Sequence, residues 1–146
     1  MRIQIDVKIK KKIYHDILHA FPAVPPENGC ILGSRDGIVE WFAYDSGSLI
    51  QDAAMYIPDT KRLNGIIDQW SGEQIEFCGL AHSHPDGQDS LSGSDTAYID
   101  AIMRAMPGSI NRLFFPLVFP GKKMIAFTAF RNRDKIEILF DEIIIL

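Results

Sequence analysis

The segment Ile75-Glu76-Phe77-Cys78-Gly79-Leu80-Ala81-His82-Ser83-His84-Pro85, followed after six residues by Ser92-Gly93-Ser94-Asp95, decides how this chain is to be read. Phe77, Leu80 and Ala81 mark a buried strand from about Ile75 to His84, and Pro85 ends it because proline cannot donate to a ladder. Side chains two apart on a strand share a face, so His82 and His84 project to the same side. Asp86, Gly87, Gln88, Asp89 and Ser90 form a polar loop. Ser92 or Ser94 is then placed to cap a helix from about Asp95 to Met106, with Asp95 in its first turn. Two neutral imidazoles and one carboxylate with a fourth position open are the ligand set of a catalytic rather than a structural zinc site. The bland alternative is a surface turn carrying two exposed histidines.

Working outward, the rest of the chain alternates strands and helices. Residues 2 to 6 alternate as a strand, and residues 8 to 21 form an amphipathic helix closed by Pro22, Pro25 and Pro26. Gly29 to Gly33 and Ile38 to Tyr44 make a hairpin around Ser34-Arg35-Asp36-Gly37, whose Asp-Gly pair is a strong turn signal. Residues 45 to 57 are ambiguous. A helix is expected from Asp59 to Trp70, with Leu63, Ile66, Ile67 and Trp70 at helical spacing. Apolar strands near Leu113 to Phe119, Met124 to Phe130 and Lys135 to Ile145 complete the sheet. The pattern is α+β, in one domain spanning residues 1–146, with no repeat or linker.

At His82-Ser83-His84-x7-Ser92-x-x-Asp95 the chain resembles the JAMM metalloproteases of the MPN family, whose motif joins these residues to an upstream glutamate. The resemblance implies an MPN-like domain, a mixed curved sheet flanked by helices, holding one zinc per chain through His82, His84 and Asp95. It implies that Ser92 helps to stabilise the tetrahedral intermediate and that the glutamate is the general base. That glutamate usually opens a strand of the type Glu-x-Gly-Gly-apolar-apolar-x-Gly. Here the strand is Glu27-Asn28-Gly29-Cys30-Ile31-Leu32-Gly33, with Cys30 at the second glycine and the closing glycine one residue early. Glu27 is the candidate, and Glu40 in Val39-Glu40-Trp41 is the next, although alternation favours solvent for it.

The chemistry explains why these residue types belong together. Zinc lowers the pKa of a bound water from about 15.7 toward 7, and a nearby carboxylate relays the proton to the leaving amine. A hydroxyl donor stabilises the charge that develops on the carbonyl oxygen. The resemblance therefore points to a peptidase or isopeptidase, with the carboxyl tail of a ubiquitin-like or sulfur-carrier protein as the suggested target. Such a tail could bind in extended form along a strand edge. The rival readings are a non-catalytic MPN-like scaffold and a RadC-like protein linked to DNA metabolism. Within the loop, Ser90 and Ser94 flank Ser92 as controls, and Asp86 and Asp89 lie off the motif spacing.

A second histidine pair, His15-Asp16-Ile17-Leu18-His19, superficially matches His-Glu-x-x-His zincins but carries aspartate in place of the base glutamate. Helical periodicity puts Ile13, Tyr14, Ile17, Ala20 and Phe21 on one side and both histidines on the other, so no catalytic role is assigned to them. A hydrophobic content of 47% over 146 residues is ordinary for a globular core. The net charge of −4 argues against a nucleic-acid partner. The basic run Lys8 to Lys12 fits an amphipathic element better than a binding patch. Cys30 and Cys78 are expected to be reduced and buried. Residues 1 to 20 lack the apolar stretch of a signal peptide and no segment reaches membrane-helix length, so a soluble cytoplasmic protein is the expectation. Oligomeric state is open.

Overall fold

A computed structural model describes residues 7–24, 27–47, 56 and 58–146. The strand expected over residues 2 to 6, Pro25, Pro26 and much of the ambiguous 45–57 stretch lie outside the described residues. Among the described residues the chain runs β1 (Val7–Ile9), α1 (Lys11–Ala20), β2 (Gly29–Arg35), β3 (Ile38–Asp45), α2 (Thr60–Gly72), β4 (Glu76–Ser83), α3 (Gly93–Ala105), β5 (Arg112–Phe114), β6 (Leu117–Phe119), β7 (Lys123–Asn132), β8 (Lys135–Asp141) and β9 (Ile143–Ile145). The architecture is α+β, a mixed sheet flanked by helices.

One sheet joins all these strands in the order β5-β7-β6-β4-β2-β3-β1-β9, with β8 paired to β7. The β1–β3, β1–β9, β4–β5 and β4–β6 pairs are parallel and the others antiparallel. At the centre, β2 and β4 are covered on both faces, and their period of two divides the core. Ile31 and Leu80 join Leu63 and Trp70 of α2 and Ile99 and Met103 of α3. Cys30, Leu32 and Ala81 pack with Ile17 and Leu18 of α1 on the other side. The β2–β3 turn has positive φ at both Asp36 and Gly37, as a two-residue type I′ hairpin requires. Gly79 has a steric reason too, since a Cβ there would overlap the Phe114 carbonyl.

Three expected boundaries move. The first helix begins at Lys11, and Lys8, Ile9 and Lys10 are not helical. Buried Val7 and Ile9 flank exposed Lys8, and the segment pairs with both β3 and β9, so alternation and ladder bonds prevail over helical spacing. The expected strand from Leu113 to Phe119 is broken at Phe115-Pro116 into β5 and β6, since Pro116 has no N–H to give. Its carbonyl instead accepts from the His82 N–H at 3.2 Å. The last expected strand divides at Glu142, where the chain leaves β7 and joins β1, so β8 and β9 lie at different places in one sheet.

Candidate metal centre

The C-terminal end of β4 delivers both imidazoles into one place. His82 and His84 are each 4% exposed, and their Nε2 atoms stand 3.0 Å apart. The Asp95 carboxylate spans the pair, with Oδ1 at 3.2 Å from His82 Nε2 and Oδ2 at 3.1 Å from His84 Nε2. Asp95 is the third residue of α3, fixed by a capping box. Ser92 Oγ accepts from the Asp95 N–H at 3.1 Å, and the Ser92 N–H donates to Asp95 Oδ2 at 2.9 Å. One local motif therefore starts the helix and aims the carboxylate.

Glu27 comes from the opposite strand of the ladder. Gly29 of β2 pairs with His82, so two residues upstream the chain lies beside His84. A Glu27 carboxylate oxygen and the ligand nitrogens of His82 and His84 all lie within 4.8 Å of one another. A Cβ on Gly29 would collide with the Tyr56 ring, which explains a glycine at this crowded point. Glu40 is elsewhere: it is skipped in the β2–β3 register, at a bulge, and pairs with Lys10 at 3.8 Å.

Electrostatics follow from this geometry. Burial raises the Glu27 carboxyl above its usual value, an effect the two imidazoles partly offset. For Asp95, burial acts upward, but hydrogen bonds from His82, His84 and the Ser92 backbone dominate and hold the carboxyl well below the usual range. For His84, burial acts downward, yet the bonds to Asp95 and the Gln88 carbonyl leave it raised overall. His84 Nδ1 lies 2.9 Å from the Gln88 carbonyl oxygen, so Nδ1 carries a proton and Nε2 is the nitrogen left to meet Asp95 or a metal ion. Buried His82 Nδ1 has no hydrogen-bond partner among the described residues, so His82 is oriented from its Nε2 side.

These donors fit a metal. Two imidazole nitrogens at 3.0 Å with carboxylate oxygens at 3.1 and 3.2 Å need a cation, a proton or a metal ion, to relieve lone-pair repulsion. A tetrahedral ion bonded at about 2.0–2.1 Å separates its ligands by roughly 3.3 Å, close to these spacings. The nitrogen and oxygen donor set suits zinc. Asp95 touches both imidazoles and Glu27 lies within 4.8 Å of them, so each carboxylate is within reach as a third donor beside His82 and His84.

The cluster opens into a cleft of about 480 Å³ lined by Glu27, His84, Gln88, Leu91, Ser92 and Asp95 among others. Ser92 Oγ, besides capping α3, lies 3.0 Å from Ser94 Oγ. The loop that lines the cleft is tied to the start of β7: Asp86 pairs with Lys122 of the β6–β7 turn, and Asp89 with Lys123, the first residue of β7, at 3.6 Å. Both loop acids thus have lysine partners and stay out of the cluster. Cys30 and Cys78 are free thiols, as expected, but only Cys30 is fully buried and Cys78 is half-buried. The Cys78 thiol is pushed up to about 12, chiefly by burial.

Sequence reasoning does not point to Gln88, which contributes a backbone carbonyl, or to Lys122 and Lys123, whose partners are distant in the chain. It also passes over Ser83, the middle residue of His-Ser-His. Ser83 Oγ accepts from the Asn28 N–H at 2.9 Å. The small hydroxyl residue at a buried strand position was the available signal.

No protein-family model and no curated protein matches the sequence. Among solved structures, a protein from Desulfitobacterium hafniense is similar with a TM-score of 0.67 and 21% identity, covering 97% of this chain and 93% of that one. A protein from Salinibacter ruber gives a TM-score of 0.52 at 18% identity, covering 95% and 91%. At these identities the likeness is one of fold.

Proposed function

We propose that this chain is a zinc-dependent metallopeptidase or isopeptidase of the JAMM type, built on an MPN-like domain and acting in the cytoplasm. The observation that carries the reading is the convergence of His82, His84 and Asp95 within 3.2 Å, with Glu27 beside them at the edge of an open cleft. His82, His84 and Asp95 would hold the ion. When bound, zinc supplies the Lewis acidity that amide hydrolysis needs near neutral pH. Glu27, raised by burial, is suited to accept a proton from water and pass it to the leaving amine nitrogen. Ser92, at the mouth of the cleft, can donate its hydroxyl hydrogen to the carbonyl oxygen as charge develops there. Gln88 keeps the His84 ring in the tautomer that offers Nε2.

The substrate class follows the family resemblance: the extended carboxyl tail of a ubiquitin-like or sulfur-carrier protein, or an adduct joined to it. The small side chains of Gly87, Ser90, Ser92 and Ser94 around the cleft suit a thin, extended chain.

The test is zinc content together with turnover. Purified protein should hold about one zinc per chain, and the loaded protein should cleave fusions or isopeptides placed at such tails. Glu27→Gln should keep the metal and lose roughly a hundred- to ten-thousandfold in kcat. A zinc-loaded protein that binds a ubiquitin-like partner and never cleaves it would replace this reading with the scaffold, and a salt-sensitive DNA complex would favour the RadC-like alternative.

A further inference from the structure

The β2–β4 ladder ends in the Gly29 and His82 pair, two residues short of both Glu27 and His84. Beyond that pair the two strands are held by Ser83. Its backbone N–H donates to the Asn28 carbonyl oxygen at 2.8 Å, and its Oγ accepts from the Asn28 N–H at 2.9 Å. The same Oγ lies 3.4 Å from the Asn28 carbonyl oxygen, toward which its hydrogen can point. Both residues are buried, Ser83 fully and Asn28 to within 3%. Bulk water therefore does not reach the Asn28 N–H in the folded chain.

The Asn28 nitrogen belongs to the peptide plane that contains the Glu27 Cα. Because that plane is rigid, a hydrogen bond to its N–H restrains the position of the Glu27 Cα, from which the side chain departs. We infer that Ser83 is a positioning residue, which acts through the Glu27–Asn28 peptide to hold the Glu27 carboxylate against the imidazole pair; this rests on the peptidase reading above. The middle position of His-Ser-His then has its own task. The two histidines point into the centre, and the residue between them points away and sets the carboxylate on the neighbouring strand.

The division of labour predicts a split in the kinetics. Ser83 contacts none of the three proposed metal ligands through its hydroxyl, so removing it should leave metal binding intact while Glu27 drifts. A displacement of about 1 Å at a reacting group costs on the order of a hundredfold in rate.

The experiment compares wild type, Ser83→Ala and Ser83→Thr as full-length, zinc-loaded protein, reading zinc per chain, kcat and KM on a tail substrate, and hydrogen exchange at the Asn28 amide. Ser83→Ala is expected to retain zinc, lose about a hundredfold in kcat at unchanged KM, and exchange the Asn28 amide faster. Ser83→Thr should restore both kcat and amide protection. Wild-type kcat in Ser83→Ala, or a loss that tracks zinc content, would overturn the inference. Should Ser83→Ala fail to fold, Ser83→Cys keeps the size with a weaker acceptor, and wild-type kcat and Asn28 protection in that variant would overturn it equally. An inactive, zinc-loaded wild type would instead remove the peptidase reading and this inference with it.

Discussion

Two histidine pairs occupy this chain. His82 and His84 stand two apart on a strand, are 4% exposed and bring Nε2 atoms to 3.0 Å from each other. His15 and His19 stand four apart on α1, both exposed, with His19 Nδ1 turned back to the His15 carbonyl oxygen at 2.7 Å. The acid between the helical pair is committed as well, since Asp16 pairs with Lys12 at 3.0 Å. Both spacings place imidazoles on one face of their element. What separates the pairs is the third donor: β4 ends where the capping box of α3 aims Asp95 and where β2 brings in Glu27, whereas α1 turns its histidines toward solvent. Spacing makes a pair, and tertiary structure makes a site.

The largest effect should come from breaking that third donor. Asp95→Ala removes the carboxylate that touches both imidazoles, and zinc affinity should fall by well over the tenfold to hundredfold typical of outer-shell partners. His15→Ala, removing a member of the other pair, should leave zinc content and turnover unchanged. Elemental analysis of the two dialysed variants checks this. Equal zinc in Asp95→Ala and wild type would move the third-ligand role to Glu27.

The same comparison shows what could be read from residue order alone. His82, His84 and Asp95 were legible because their spacing is set by a strand, a turn and a helix cap, all local. The hairpin was legible from Asp36-Gly37 for the same reason. The start of α1 was not, because Val7-Lys8-Ile9-Lys10 satisfies two periodicities and pairing with β3 and β9 decided between them. That Glu40 lies away from the cluster became visible only with its bulge and its Lys10 partner. Gln88 and Lys122 make backbone or long-range contacts, for which one sequence carries no pattern, and for Ser83 the signal was limited to a small hydroxyl residue at a buried strand position.

An intermediate effect is expected from pH, because protons and metal compete for the same centre. Without metal, His84 is raised, so its contribution to stability is complete below the unfolded value near 6.5 and is lost as pH rises through the folded value. Asp95 is depressed, so its contribution is present above the unfolded value near 3.9 and is lost as pH falls further. Chelated protein should therefore gain most from this cluster between about pH 4 and 6.5, measured as the stability difference between wild type and Asp95→Asn. Zinc needs His84 neutral, so zinc affinity should weaken by up to about tenfold per unit as pH drops through the histidine range. Affinity that stays flat there would exclude His84 as a ligand, while the His15 and His19 pair should have no part in the trend.

The smallest effect separates two tasks of Ser92. Its Oγ caps α3 by accepting from the Asp95 N–H, and Ser92 is also among the residues that line the cleft. Alanine at a helix N-cap costs about 1 kcal/mol, whereas glycine, whose backbone suits the position, costs only a few tenths. Ser92→Ala and Ser92→Gly both lack the hydroxyl, so whatever it does for substrate is lost equally in each. The difference between them in thermal stability and zinc affinity isolates the cap. Ser92→Ala should be the less stable by several tenths of a kcal/mol and should bind zinc more weakly, because Asp95 is aimed by that first turn. Equal stability and affinity in the two variants would mean that the reciprocal bond from the Ser92 N–H to Asp95 Oδ2, which both retain, is enough to hold the carboxylate. The centre would then owe its geometry to the backbone of the loop, as it does at Gln88, with the hydroxyl left for the substrate.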